Sequence, residues 1–322
     1  ASFRVALLHR VLLGGGLSVT LVGVRHVISR DYPQRFSFMT SLSQSLANIV
    51  GALVALAASF TTILTTFRAP FMVVGVLFVP IGIALLIVIG RNSAGTQPQT
   101  DASPTASIGA ILAACLGSRQ FWAGLVYYSC LFGTVLAYSD LWNIQFQMDY
   151  FKHTSQDSAL LNAVLPLGVT FGSLSAGAWA QVRGDFVLPA RVFGLLAVAA
   201  FGVMYTVPLP EWMALTANFF IGFALAGSIL GFTAIQRHLP AFARATGTAL
   251  VATAAFVMGG VIQPAIGFML EVPLHSSQLF QLIMSEDPNF GHYQKGMMLL
   301  FVSVLTGFLA SLLFKRAHAG ES

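Results

Sequence analysis

The chain has 322 residues, of which 56% are hydrophobic and only 8% are charged, whereas soluble domains carry about 25% charged residues. Together with a mean hydropathy of +0.80, this composition excludes a soluble enzyme, a nucleic-acid-binding protein and a disordered scaffold. It predicts a polytopic membrane protein. The formal net charge of +5 then reports topology rather than a nucleic-acid partner, because Lys and Arg collect in cytoplasmic loops.

Nine continuously apolar segments are long enough to cross a membrane as helices, since one crossing needs ~20 residues. Their continuous apolar character favours an all-α protein over the alternating strands of an outer-membrane barrel. In chain order the predicted spans run from Phe3 to Ile28, Ser37 to Leu64, Pro70 to Ile89, Gln120 to Phe146, Ala159 to Val182, Pro189 to Val207, Trp212 to Ile235, Ala245 to Leu270 and Lys295 to Phe314.

Cations are unequally distributed between the loops on the two sides of these spans. One set of loops holds Arg25, Arg30, Arg35, Arg91, Arg119, Arg183, Arg191, Arg237, Arg244, Lys315 and Arg316. The other set holds Arg68, Lys152 and Lys295 together with most of the acidic residues. The positive-inside rule places the first set in the cytoplasm. We therefore expect a multi-pass protein of the inner cell membrane whose first span begins outside and whose C-terminus is cytoplasmic.

An internal repeat relates the turn after the first span to the turn after the seventh. Arg30 and Pro33 match Arg237 and Pro240, 207 residues further on, and Arg35 matches Arg244. Two unrelated apolar hairpins with basic turns could look alike, but the matching loop residues and the shared topology favour a true repeat. Both copies run in the same direction across the membrane, so the repeat is parallel.

The repeat predicts the domain organisation. Residues 1–90 form the remainder of an N-terminal half, 91–118 a cytoplasmic linker and 119–322 a C-terminal half of six helices. The polar stretch from Asn92 to Ser107, rich in Pro, Ser and Thr, predicts a flexible linker. Extending the repeat backwards predicts three further N-terminal helices, for twelve helices in about 410 residues, with Ala1 not the native start.

Short motifs make the sequence resemble the major facilitator superfamily along its whole length. Arg10, Gly14 and Gly16 are similar to that family's fourth-helix motif, with Leu13 where a polar residue is frequent. Gly177 and Gly184 are similar to its loop motif, with Gln181 at the position of the motif's Asp. The fifth-helix segment around Gly51 lacks the Gly-Pro pair of the antiporters, which favours uptake or symport.

The resemblance implies a substrate site near mid-membrane between the two halves, moved by alternating access. Arg10 is either a structural tether or a counter-charge to an anionic solute or to Asp140. Asp140 is the one acidic residue well inside an apolar span, where a carboxylate is expensive unless paired or hydrated. It is a candidate proton carrier for symport; the alternatives are an ion pair with Arg10 and a position near the outer mouth.

Other candidate wall residues are polar or aromatic side chains within spans. Trp142 and Gln145 belong to a dense group that suits either a cavity wall or the interfacial aromatic belt. Gln44 and Asn48 share one helix face, for substrate contact or interhelical bonding. The remaining candidates are Asn162, Asn218 and Gln263, the last preceding Pro264, which favours a gating kink.

No motif for catalysis, ATP binding or metal binding occurs, and Cys115 and Cys130 indicate neither a disulfide nor a metal site. We predict no enzyme activity and no cofactor. The predicted function is secondary transport of a small polar solute, coupled to H+, by a monomer in contact with membrane lipid. A transporter-like sensor or assembly subunit that moves no solute is the alternative.

Overall fold

The computed structural model describes residues 3–64, 72, 75–76, 78–84, 87, 106–207, 209–271 and 288–316; in parts of the first two helices and at 155–156, 159–160 and 288–290 it describes only the backbone. These described residues contain no β-strand. The α-helices are α1 Phe3–Asp31, α2 Phe36–Leu64, α3 Ile108–Gly117, α4 Arg119–Ala137, α5 Asn143–Tyr150, α6 Ser155–Asn162, α7 Val164–Arg183, α8 Val187–Thr206, α9 Glu211–Leu225, α10 Leu230–His238, α11 Ala241–Glu271 and α12 Pro288–Leu312. The predicted third span, Pro70 to Ile89, is described only in part, and its described residues, 78–84 among them, are helical.

Five helical stretches in the described residues are long and apolar enough to cross a membrane, and they match five of the predicted spans. They are Arg119–Tyr150, Val187–Thr206, Glu211–His238, Ala241–Glu271 and Gly291–Leu312. The last helix begins before the predicted start at Lys295. Helix α7, in the predicted fifth span, is absent from this set because it carries small and polar residues where it packs against α2 and α9. The full count of nine spans remains a prediction.

Two of these stretches change helix type part-way along. A π turn, Tyr138–Trp142, joins α4 to α5, and a 3-10 turn, Ala226–Ile229, joins α9 to α10. A π turn inserts an extra residue into the helical ladder and is frequent at functional sites. The predicted candidate Asp140 lies inside this π turn.

The C-terminal part of the predicted linker is helical. Helix α3 begins after Ser107, whose hydroxyl accepts a hydrogen bond from the backbone N–H of Ala110 at 3.2 Å. Ser118 separates α3 from α4 and caps α4 by accepting from Phe121 N–H at 3.2 Å. Such serine caps accept hydrogen bonds from N–H groups that have no partner in the first turn of a helix. The two caps therefore determine the first residues of α3 and α4.

Glycines allow α7 and α9 to pack backbone against backbone. A Cβ atom added to Gly168 or Gly172 would lie 2.1 Å from a carbonyl oxygen of α9, and one added to Gly222 would lie 2.2 Å from the Leu165 carbonyl oxygen. No side chain fits at such distances. Small residues of this kind bring helices together in membranes, where the hydrophobic effect gives no drive for helices to associate.

The two copies of the sequence repeat form equivalent helix–turn–helix units. In the first, α1 ends after Arg30 and Pro33 opens a 3-10 turn before α2. In the second, α10 ends after Arg237 and Pro240 precedes α11. Helix α2 packs on α7, and α1 packs on α11. The first unit thus lies directly against the C-terminal helices.

Candidate functional site

The inter-half interface is the contact surface of α1 and α2 with the helices from α4 onwards. Hydroxyl groups bond across it near the start of α2. The hydroxyls of Ser37 and Thr233 share a hydrogen bond of 3.0 Å. The Ser45 hydroxyl donates to the Thr170 carbonyl oxygen at 2.9 Å and also lies 2.6 Å from the Ser173 hydroxyl. All these side chains are buried, so this end of the interface is closed to solvent.

Gly177 lets α7 approach α2 at the same end. A Cβ atom on Gly177 would lie 2.3 Å from the Ser41 hydroxyl oxygen and 2.9 Å from the Ser37 carbonyl oxygen. One turn further, the Gln181 side chain donates to the Gln34 carbonyl oxygen at 3.1 Å. Gln181 stands where the family motif has Asp, and here it joins the two halves through an amide.

Arg25 is buried at this end, on the last turns of α1. Only 5% of its surface is exposed, and its guanidinium carbon lies 4.1 Å from the centre of the Phe232 ring. The Phe232 ring in turn packs on Tyr128, with centroids 4.3 Å apart. A cation over an aromatic face is stabilised by the ring quadrupole, most strongly when both are desolvated. The contact joins α1 to α10 across the interface.

Toward the other end of α1 and α2, the described side chains are exposed. Leu12 of α1 is 67% exposed. No atom of the described chain lies within 4 Å of a Cβ placed on Gly14 or Gly51. Among the described residues, the interface is therefore closed at the end with the arginine-rich turns, and no comparably close contact is described at the opposite end.

The predicted candidates Gln44 and Asn48 lie on α2 on either side of Ser45. They are hydrogen-bonded to each other, the Gln44 amide donating to the Asn48 side-chain oxygen at 3.3 Å. Gln44 lines a small cavity of about 10 Å³ whose wall also includes Tyr128 and Ser173. The Asn48 amide nitrogen is buried with no partner among the described residues. Gln44 is thus a predicted candidate that lies beside residues from across the interface.

Asp140 is exposed on the π turn. Within the described residues its carboxylate forms no ion pair. The backbone of Arg10 belongs to α1, but its side chain lies outside the described residues. The predicted pairing of the two therefore stays a prediction.

Trp142 and Gln263 connect the π turn to α11. The indole N–H of Trp142 donates to the Gln263 carbonyl oxygen at 3.1 Å, and the Gln263 amide donates to the Leu136 carbonyl oxygen at 3.1 Å. Pro264 lies inside α11, which continues to Glu271. These two bonds fix the position of the π turn that presents Asp140.

The remaining three candidates make hydrogen bonds inside the C-terminal half. Asn162 accepts from Asn143 at 2.6 Å and donates to the Ser139 carbonyl oxygen at 2.8 Å. The buried Asn218 accepts from the Tyr138 hydroxyl at 2.6 Å. Gln145 donates to Asp149 at 3.0 Å. The structure therefore places these side chains in contacts that hold the half together, and their role toward a substrate remains a prediction.

Sequence reasoning missed the closed end of the interface. The sequence predicts Arg25 only as a cation of a cytoplasmic loop and gives no role to the serines at positions 37, 41 and 45. Their spacing of four residues was the available signal, because it places them on one helix face. A stripe of small hydroxyl residues is typical of close helix contacts in membranes.

The comparisons with known proteins agree with this architecture. The sequence matches the Major Facilitator Superfamily over residues 1–264. The chain therefore belongs to that superfamily of membrane transporters. No curated protein matched the sequence. Among solved structures, it is similar to a bacterial homologue of the iron transporter ferroportin in the outward-facing state, with a TM-score of 0.63 and 14% identity, covering 92% of this chain and 68% of the other. At that identity the likeness shows the fold alone.

Proposed function

We propose that the protein is a secondary active transporter that moves a small polar solute by alternating access between its two halves. The observation that carries the proposal is the closed end of the inter-half interface, where Ser37, Ser45 and Gly177 of the two sides meet without a covalent or ionic link. A substrate site between two halves that separate at one end at a time is the basis of this transport mechanism.

The distribution of cations supports an orientation for this interface. If the arginine-rich turns face the cytoplasm, the closed end of the interface is the cytoplasmic one. Cysteines placed at Ser155 should then be labelled from outside and those at Ser93 from the cytoplasm. Labelling of both from the same side would contradict the orientation.

We further propose that Asp140 couples uptake to protons. Its carboxylate is exposed on the π turn toward the outer end of its helix stretch, and it forms no ion pair in the described part of the chain. A carboxylate that binds a proton on one side and releases it on the other drives accumulation if substrate binding differs between the two states.

The substrate is first identified by thermal stabilisation of the purified complete protein, since a ligand stabilises the state that it binds. The ligands tested are small polar metabolites, with ferrous iron as a further arm because the structural neighbour is a homologue of an iron transporter. Transport is then measured in proteoliposomes with an imposed pH gradient.

Asp140→Asn should abolish proton-driven accumulation and leave substrate exchange intact, because exchange moves no net proton. Asp157→Asn, an exposed outer carboxylate that accepts from Thr154, is the matched control and should accumulate solute normally. Undiminished accumulation by Asp140→Asn would disprove the coupling role while leaving transport itself untouched.

A transporter-like sensor is the second candidate. It is favoured by Gln181, an uncharged residue at the position of the motif's Asp, which binds a backbone carbonyl across the interface. A sensor would bind solute in the stabilisation assay and show no flux in proteoliposomes. Net solute flux in proteoliposomes would show that the protein is a transporter.

A further inference from the structure

A partly polar cavity of about 70 Å³ lies at the closed end of the inter-half interface, between the two turns of the sequence repeat. The first repeat contributes Ser29, Gln34 and Ser37 to its wall, and the second contributes Gln236, Arg237 and Arg244. Apart from Ser37, whose hydroxyl also closes the interface, the side chains of this wall have no part in the transport role proposed above. Both halves of the protein therefore supply side chains to a second candidate binding site.

The charge of the cavity is positive. Arg237 and Arg244 line it, and no acidic residue does. The carboxylates of nearby turns are already paired with other cations: Asp31 lies 2.7 Å from Arg30, and Asp185 lies 3.1 Å from Arg316. An anion in this cavity would thus meet two guanidinium groups without a competing carboxylate among the described residues.

Each of these guanidiniums is fixed by a backbone bond that uses one of its N–H groups. Arg237 donates to the Gly184 carbonyl oxygen at 3.0 Å, and Arg244 donates to the Leu239 carbonyl oxygen at 2.9 Å. A guanidinium carries five N–H donors in a planar fork. The other donors remain suited to a tetrahedral oxyanion, which arginine binds with two parallel hydrogen bonds.

The cavity wall also contains uncharged hydrogen-bond donors. The hydroxyl pair of Ser37 and Thr233 lies in the wall, and the Gln236 amide makes no hydrogen bond to the described residues. We propose that the cavity binds a phosphate-type anion, either free phosphate or the headgroup of an anionic phospholipid. Because both halves contribute donors, the anion binds the closed arrangement better than the open one, and it therefore holds this end shut.

The test uses the complete protein in nanodiscs of phosphatidylcholine, with Gln34→Cys as a reporter in the cavity wall. The native cysteines are both buried, so the background of alkylation is low. Inorganic phosphate should slow alkylation of the reporter and raise the unfolding temperature, compared with chloride at equal ionic strength. Arg244→Gln should weaken the apparent phosphate affinity about tenfold, because it removes charge-assisted hydrogen bonds.

Arg183→Gln is the matched control, since this exposed arginine ends α7 outside the cavity. It should leave phosphate protection unchanged. A second set of nanodiscs containing phosphatidylglycerol distinguishes the sources: protection there without added phosphate, lost in Arg244→Gln, identifies the lipid headgroup. The proposal is overturned if neither phosphate nor phosphatidylglycerol protects the reporter, or if Arg183→Gln and Arg244→Gln lose protection equally. Neither measurement depends on transport, so failure here leaves the proposed transport function standing.

Discussion

The two ends of the inter-half interface differ in what they bring into contact. At the end with the arginine-rich turns, Ser37, Ser41 and Ser45 are buried against α7 and α10. Further along the same helix, Gly51 meets no atom of the described chain within 4 Å. Among the described residues, α2 is therefore closely packed near its start and has no close neighbour at Gly51.

The closed contact consists of interactions that can form and break reversibly. In a membrane, small residues let backbones approach, and a hydroxyl bond across helices contributes about 0.6 kcal/mol on average. A contact made of several such bonds fixes the relative position of the helices, while each bond contributes little free energy. We expect an interface built in this way to open at small cost when substrate or proton binding favours the other arrangement.

The largest expected effect comes from filling the close approach at Gly177. Gly177→Leu places a side chain where even a Cβ atom would lie 2.3 Å from the Ser41 hydroxyl oxygen. We expect α2 and α7 to separate, with a loss of about 3 kcal/mol in the free energy of unfolding. A shift in the unfolding temperature measures this loss.

Gly260→Ala is the control for that substitution. Gly260 lies in α11 with no atom of the described chain within 4 Å of an added Cβ. Alanine there should be neutral or stabilise by about 0.5–1 kcal/mol, because it lowers the entropy that the backbone loses on folding. If Gly177→Leu unfolds at the wild-type temperature, the close contact at this end does not exist.

The next effect is expected at Arg25, which links α1 to α10. Arg25→Leu removes the cation from the Phe232 ring, and a desolvated cation–π contact contributes about 2 kcal/mol. The open fraction of the arginine-rich end should rise about thirtyfold. Alkylation of a cysteine at Ser41, fully buried in the closed interface, measures this fraction.

Arg30→Leu is the matched control on the same helix end. Arg30 is exposed and pairs only with Asp31 among the described residues, so its loss should leave alkylation of the cysteine unchanged. Arg25→Lys keeps the charge but not the planar group and should give an intermediate rate. If the cysteine is alkylated at the same rate in Arg25→Leu and in the protein with Arg25, then Arg25 does not stabilise the closed contact.

The sequence was sufficient for the all-helical class and the family, because long apolar runs exclude strands and the motifs with the repeat resemble one family; five of the nine predicted spans are matched in the described residues. It was less informative about the candidate site. Asn162 and Asn218 have the composition of a cavity wall, but their partners, Asn143 and Tyr138, turn them into contacts within one half. The face of a span that is buried against its own half depends on how the helix is rotated about its axis. A nearly uniform apolar sequence does not reveal this rotation. Gln44 and Asn48 were predicted on one face because their spacing alone defines it.

A smaller and more local effect is expected at Trp142, near the π turn. Trp142→Phe removes the hydrogen bond to the Gln263 carbonyl oxygen and should cost about 1 kcal/mol in the free energy of unfolding. Alkylation of the cysteine at Ser41 should not change, because this bond lies within one half. Trp212→Phe, at a tryptophan that is 68% exposed, is the control and should be neutral. A change in alkylation would mean that the π turn and the closed end are coupled.

The smallest effect is expected at Ser45, although its hydroxyl makes two contacts across the interface. Ser45→Ala removes the bond to the Thr170 carbonyl oxygen, but the Ser173 hydroxyl also donates to that oxygen, at 3.1 Å. The acceptor therefore keeps a partner, and the penalty for a buried group left without one does not arise. We expect a loss of about 0.5 kcal/mol and little more than a doubling of alkylation at Ser41.

Ser43→Ala is the matched control, since the Ser43 hydroxyl donates within its own helix to the Thr40 carbonyl oxygen at 2.8 Å. It should leave alkylation unchanged. The double variant Ser45→Ala, Ser173→Ala removes both donors from the Thr170 oxygen, so its cost should exceed the sum of the two single costs. Additive costs would mean that the Thr170 carbonyl oxygen finds another donor, and that the hydroxyl contacts at this end act independently of one another.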